Sequence, residues 1–247
     1  MHLLITMAGL YTRFSPFSYQ VPKYLLPLSN RTVLHHLLAT LLRGDLFSGL
    51  LLVANERDIA FRPQIVSTIQ EFGFSDKDLL FIGDTEGQAE TAFIGAQEIL
   101  RSRDDLAVAV HNIDTILLHR DMKIFQDKLS VASCAIDVFY ANNKEYSYVQ
   151  VNDSGDVIGI REKVVISKIA SSGFYCFESM SLMSRYLQEA IDNGEHYISN
   201  GIRRMIDQER RVVIGPICNE NNTVVVGTPE EYLEAAAVFD LYSQLES

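Results

Sequence analysis

The 247-residue chain is 47% apolar and 21% charged, the balance of a folded globular protein and not of a disordered or fibrous one. Its length suffices for one large α/β domain with a full core. Thirty-two Asp and Glu against 21 Lys and Arg leave a net charge of −11, which argues against nucleic acid or an anionic membrane as partner.

The first apolar run, residues 3–7, reads as a buried strand that empties into Ala8-Gly9-Leu10-Tyr11-Thr12-Arg13. Small residues at Ala8 and Gly9 let main-chain N–H groups approach an anion, and Arg13 offers a two-pronged grip on phosphate oxygens. After a turn-prone stretch, Pro22 restrains the chain just before Lys23, so that this lysine is a fixed point charge. On spacing alone, a strand, a loop and two surface cations account for the stretch equally well.

Strand and helix patterns then alternate. Residues 33–42 carry leucines at helical spacing, 49–54 form a continuous apolar run suited to a strand buried on both faces, and 58–72 read as a helix ended by Gly73. A strand at 79–82, a helix at 88–100 and a strand at 106–110 complete the alternation, which predicts a parallel sheet built from crossovers. Beyond Asp114 the texture changes: strands at 131–140, 146–151 and 157–162 are joined by turns at Asn142-Asn143 and Asp153–Asp156, the chemistry of hairpins. A strand at 173–177, helices at 182–193 and 198–208, strands at 212–214 and 223–226, and a helix at 229–245 follow. No repeat or linker interrupts the chain, so a single domain over 1–247 is expected, its two textures dividing it into halves near 1–118 and 119–247.

Ligands of open α/β sheets gather beyond the carboxyl ends of the strands, and four such places carry suggestive residues. After 79–82, Gly87-Gln88-Ala89 open a helix with free N–H groups and an amide able to donate and accept, or form an ordinary helix start. After 106–110 comes His111-Asn112-Ile113-Asp114. An unpaired buried carboxylate is costly there, so Asp114 suits either a metal ligand or a helix N-cap. Glu162-Lys163 follows the strand core 157–160, and by itself is a common surface pair. Gly227-Thr228-Pro229-Glu230-Glu231 has a sufficient structural account: Thr228 as N-cap, Pro229 at the first helical position, and Glu231 closing a capping box.

These blocks together resemble the nucleotidyltransferases that activate sugar phosphates and related phosphorylated small molecules. Gly9-Leu10-Tyr11-Thr12-Arg13 with Pro22-Lys23 resembles the family's opening Gly-x-Gly-Thr/Ser-Arg and Pro-Lys, with Tyr11 in place of the second glycine. Gly87-Gln88-Ala89, Asn112-x-Asp114, Glu162-Lys163, Gly173-Phe174-Tyr175 and the closing Gly-Thr-Pro-Glu are similar to its later elements, in register along nearly the whole chain. The resemblance implies a Rossmann-like α/β fold of the glycosyltransferase-A type, with a mixed, mainly parallel sheet. It implies transfer of a nucleoside monophosphate from a triphosphate to a phosphorylated acceptor, most simply a sugar 1-phosphate. A non-sugar phosphate such as phosphocholine, taken by a cytidylyltransferase, is the alternative within the class. A nucleotide-sugar glycosyltransferase and a non-catalytic regulatory relative are the alternatives outside it. By resemblance Arg13, Lys23 and Lys163 are the catalytic cations. Ala8, Gly9, Leu10, Tyr11, Thr12, Gly87, Gln88 and Ala89 would bind the nucleotide, Asn112, Glu162 and Gly173 the acceptor, and Asp114 the Mg²⁺. Val225 stands where many relatives carry a second metal-binding aspartate.

Other residues point to no chemistry. Cys134, Cys176 and Cys218 lack metal-ligand spacing and read as free thiols of a reducing compartment. His35-His36 lies in a helical pattern without further ligands, and His196 is expected to be structural. The N-terminal run is too short for a signal peptide, and no stretch reaches the roughly 18 apolar residues of a spanning helix, so a cytoplasmic protein without a membrane partner is expected. A homo-oligomer is compatible with the chain.

Overall fold

The computed structural model describes residues 1–14, 20–101 and 104–245. The turn-prone stretch 15–19 therefore lies outside the described residues. The chain starts at the middle of its sheet: β1 (His2–Met7) is buried at all six positions and lies between β4 (Gly49–Asn55) and β6 (Val108–Asn112), parallel to both. β5 (Leu79–Ile82) extends the parallel block beyond β4. Helices cover both faces, which is why these strands are apolar at nearly every position instead of alternating. On one face Leu3, Ile5 and Met7 pack with α1 (Val33–Leu41), α2 (Arg62–Gln70), α4 (Lys123–Leu129) and α7 (Pro229–Leu245). On the other, Leu4 and Val53 meet α3 (Gln88–Leu100), α5 (Met180–Ile191) and α6 (Ile198–Asp207). A small hairpin of β2 (Pro27–Leu28) and β3 (Arg31–Thr32) precedes α1.

β11 (Ile169–Phe177) joins the parallel block to the second half. It runs antiparallel beside β6, and also pairs with β8 (Cys134–Tyr140) and β9 (Ser147–Val151), making one mixed nine-stranded sheet. β10 (Val157–Glu162) closes one edge on β9, and β12 (Val212–Cys218) lies parallel to β8. A separate ribbon of β7 (Thr115–Leu117) and β13 (Thr223–Val225) brings Val225 opposite Thr115.

Several expected boundaries change. The helix expected at 58–72 is a 3-10 segment, Glu56–Phe61, followed by α2, because Pro63 sits at the start of an α-helix and cannot lie inside one. The strand expected at 106–110 is β6, shifted by two residues, since pairing of His2 with Val108 fixes its register. β8 and β9 do not form a hairpin through Asn142-Asn143: β11 pairs with both and separates them. The turn 152–156 does close the β9–β10 hairpin as expected. β11 begins at Ile169, not Gly173, and α4 carried too short a pattern to be read.

Candidate active site

The carboxyl ends of β1, β4, β5 and β6 lie side by side, so the loops after them share one edge of the sheet. There they line a cleft of about 350 Å³ with residues of the antiparallel half. Gly9, Leu10, Tyr11, Thr12, Arg13, Lys23, Gln88, Asn112, Asp114, Glu162, Lys163 and Gly173 all line it. Ala8, Gly87 and Ala89 do not. Ala8 is buried and its carbonyl accepts from Asn55 Nδ2 at 3.4 Å. Gly87 and Ala89 pack against the chain itself: a Cβ on Gly87 would stand 2.4 Å from the His196 carbonyl oxygen, to which the Ala89 N–H donates at 3.0 Å. This docking sets where α3 begins, and so where Gln88 faces the cleft.

Lys23 opens a one-turn 3-10 helix, Lys23–Leu25, whose next two side chains are buried. The turn anchors the lysine, and its Nζ pairs with Asp114 Oδ1. Asp114 occupies the short connection between β6 and β7. Its carbonyl accepts from the Val226 N–H at 2.7 Å, so the ribbon fixes its backbone. Arg13 is half-exposed and reaches over the mouth of the cleft to Glu145 in the β8–β9 connection, 2.9 Å away.

From the antiparallel half, Glu162 ends β10 and accepts from the hydroxyls of Ser147 and Ser199, the latter at 3.1 Å. Lys163 adopts φ +56°, and its ammonium lies 5.5 Å from the centroid of the Tyr197 ring. Gly173 has φ +86°, and a Cβ there would meet the Asn112 amide at 2.6 Å. Glycine is required on both counts, and it lets Asn112 lie against β11 with Oδ1 buried and without a hydrogen-bond partner. Burial pushes the Tyr146 phenol up to about 12, with the Glu231 charge adding to it, so Tyr146 remains a donor at neutral pH.

Asp114 is the carboxylate best placed to hold a divalent ion. It is partly exposed in the cleft, and Lys23 engages Oδ1. Val225 lines the cleft as an apolar neighbour, and Glu231 spends an oxygen on the Thr228 N–H at 2.9 Å within the capping box, whose other bond runs from the Glu231 N–H to Thr228 Oγ1. Among the described residues no three His, Cys, Asp or Glu gather as a ligand cluster. The donor set fits an ion that takes a single protein carboxylate and completes its shell with phosphate oxygens and water, as Mg²⁺ does. Sequence reasoning missed Glu145, Ser147 and Ser199, which carry no local signal and reach the cleft only through the sheet.

An α/β sheet whose parallel strands end on a cleft lined by several cations has the architecture of a nucleotide-handling transferase. The family model described as nucleotidyl transferase matches residues 3–239, and the chain belongs to that family. Solved structures share the fold across nearly the whole chain. A nucleoside-diphosphate-sugar pyrophosphorylase from Vibrio cholerae RC9 superposes with a TM-score of 0.82 at 21% identity, covering 95% of this chain and 99% of its own. A protein assigned as a glucose-1-phosphate thymidylyltransferase from Bacillus anthracis gives 0.78 at 16% identity, covering 97% and 95%. The inositol-1-phosphate CTP transferase from T. maritima gives 0.73 at 12%, covering 96% and 95%. The protein is a nucleotidyltransferase with the mixed α/β sheet of that family. No helix among the described residues is long and apolar enough to cross a membrane.

Proposed function

We propose that this enzyme transfers a nucleoside monophosphate group from a nucleoside triphosphate to a sugar 1-phosphate, releasing pyrophosphate. The observation that carries this reading is the gathering of three cations in one cleft from two parts of the fold, Arg13 and Lys23 from the segments after β1 and Lys163 from the end of β10. Two phosphorylated reactants repel each other, and cations from both parts of the fold let both enter one cleft in reacting orientation. The acceptor's phosphate oxygen attacks the α-phosphorus in line, and the bond from that phosphorus to the departing pyrophosphate breaks. The attacking oxygen is already ionised, so no general base is needed.

Arg13 and Lys23 hold the triphosphate and then the pyrophosphate, aided by the main chain from Gly9 to Thr12. Gln88, set by Gly87 and Ala89, meets the base. Lys163 grips the acceptor phosphate, while Glu162, Asn112 and Gly173 shape the space around the acceptor. Asp114 would hold Mg²⁺, which when bound neutralises phosphate oxygens. Lys23 and Arg13 each start paired with a carboxylate of the chain, so phosphate binding exchanges those partners for phosphate oxygens.

A hydroxylated acceptor is supported by the serines at Ser147, Ser171, Ser172 and Ser199 along the cleft, and by neighbours named for glucose 1-phosphate and inositol 1-phosphate. A second reading, a cytidylyltransferase for a phosphate ester with a cationic head such as phosphocholine, is favoured by Phe139, Tyr146 and Glu145 on the same surface, since aromatic faces and a carboxylate attract quaternary ammonium. Pyrophosphate release with Mg²⁺, scanned over the four ribonucleoside triphosphates and dTTP against sugar 1-phosphates and phosphocholine, separates the two. Turnover should fall by at least about 100-fold in Asp114→Ala. Failure of the wild type to bind any triphosphate would overturn the proposal.

A further inference from the structure

Between β4 and α2 lies a corner, Asn55–Asp58, to which no role in the reaction has been given. Asp58 is 1% exposed, although a carboxylate removed from water is costly unless its oxygens are paired. Both are paired, and with residues of the two motif segments that face the cleft. The Tyr11 phenol donates to Oδ1 at 2.5 Å, and the Tyr24 phenol donates to Oδ2 at 2.8 Å. Tyr11 belongs to the loop that carries Arg13, and Tyr24 follows Lys23 directly in the same 3-10 turn.

The backbone adds a second observation. Tyr11 has φ +34°, a region that residues with a Cβ rarely adopt and leave unless held. Its ring is held from two directions, by Asp58 at the hydroxyl and by the Arg57 guanidinium 5.7 Å from the ring centroid. Arg57 in turn donates to Asp84 at 2.6 Å and to Asn55 Oδ1 at 2.8 Å, while Asn55 Nδ2 donates to the carbonyls of Ala8 and Gly83. The corner thus touches the phosphate loop, the lysine turn and the loop that leads to Gln88.

We propose that Asp58 is a positioning residue for the nucleotide: its carboxylate clamps Tyr11 and Tyr24 and so holds the phosphate loop and Lys23 in one fixed relation. The bulky side chain at position 11 is thereby held against the Asn55–Asp58 corner at the edge of the cleft, and the loop keeps a conformation natural to glycine. Burial, with Asp58 beside them, raises both phenol pKa values, so the two hydroxyls donate throughout the neutral range. The inference rests on the proposal that Arg13 and Lys23 bind the triphosphate.

The test uses the full chain and inorganic tripolyphosphate, a probe with no base, with affinity read by calorimetry. Asp58→Asn and Tyr11→Phe should each weaken binding about tenfold, the worth of a hydrogen bond to a charged group. Tyr186→Phe removes another buried phenol bond, to Gln208, far along the chain, and should lower the melting temperature while leaving affinity unchanged. In an Asp58→Asn background, Tyr11→Gly removes the side chain that needs clamping and supplies a residue at ease with positive φ. Binding should then recover to within about threefold of wild type, a rescue that a merely structural carboxylate does not permit. Unchanged affinity in Asp58→Asn and Tyr11→Phe, with the wild type binding normally, would overturn the clamp. Loss of binding in Asp58→Asn without rescue by Tyr11→Gly would overturn it as well. A wild type that binds neither tripolyphosphate nor any nucleoside triphosphate would instead overturn the underlying function, and the clamp with it.

Discussion

His111 ends up fully buried beneath the cleft, with Nε2 2.7 Å from the Thr115 carbonyl. That bond is a donation from the neutral ring, and burial drives the imidazole pKa down from 6.5 to about 4. Between those values the unfolded chain takes up a proton that the folded chain refuses, so stability is fully present above pH 6.5 and is lost as pH falls toward 4. The loss from this group amounts to about 3 kcal/mol. NMR of the imidazole should show a neutral ring down to about pH 4, and titration near 6.5 would refute the assignment. The same scale shows what single residues disclose. Asp114 could be read as a ligand or a cap because a carboxylate after a buried strand is conspicuous, and it lies in the cleft. The partner that neutralises it, Lys23, is 91 positions away and stands out in the sequence only by its own local setting after Pro22.

Elements are where local rules held best and where their failure is most informative. The closing helix begins as its capping box dictates, with the Glu231 N–H donating to Thr228 Oγ1 at 3.2 Å. Thr228→Ala should cost about 1 kcal/mol in urea unfolding and leave the rest of the chain intact. The start of α3 is also where the pattern put it, but the reason for Gly87 lies in another segment. Gly87→Ala must move the α3 terminus off the His196 backbone, at a cost of about 1–3 kcal/mol. Hydrogen exchange should show the Ala89 amide losing protection, and an unchanged rate would mean that the loop yields instead. Residues 58–72 do not form one helix because Pro63 constrains the backbone more strongly than the hydrophobic spacing does.

At the scale of the whole molecule, the β7–β13 ribbon is fastened to the main sheet by a buried ion pair. Arg120 and Asp137 are 3% and 1% exposed at their side chains, with Nε 3.0 Å from Oδ1, and the guanidinium also donates to the Leu118 and Asn222 carbonyls and to Thr223 Oγ1. Arg120→Met leaves Asp137 buried without its counter-charge and should cost about 3–5 kcal/mol. Adding Asp137→Leu should restore a large part of that loss, measured by denaturant midpoints. If the second change deepens the loss, the pair is not the fastening. Because Arg120 fastens one end of this three-residue ribbon and Asp114 and Val225 stand at the other, the single mutant should also weaken triphosphate binding.

The sequence by itself determined the features that depend on near neighbours. Strands buried on both faces show as unbroken apolar runs, a capping box shows over four residues, and the first cleft segment shows because glycine, arginine and a proline-held lysine stand close together in the chain. Tertiary structure decided whatever depends on distant segments meeting. Nothing near Tyr11 announces Asp58, nothing near Arg13 announces Glu145, and the local turn between β8 and β9 cannot reveal that β11 separates them. Pairings 47 and 132 positions apart are fixed by how sheet and helices bury their apolar faces together, a property of the whole core that no window of sequence contains.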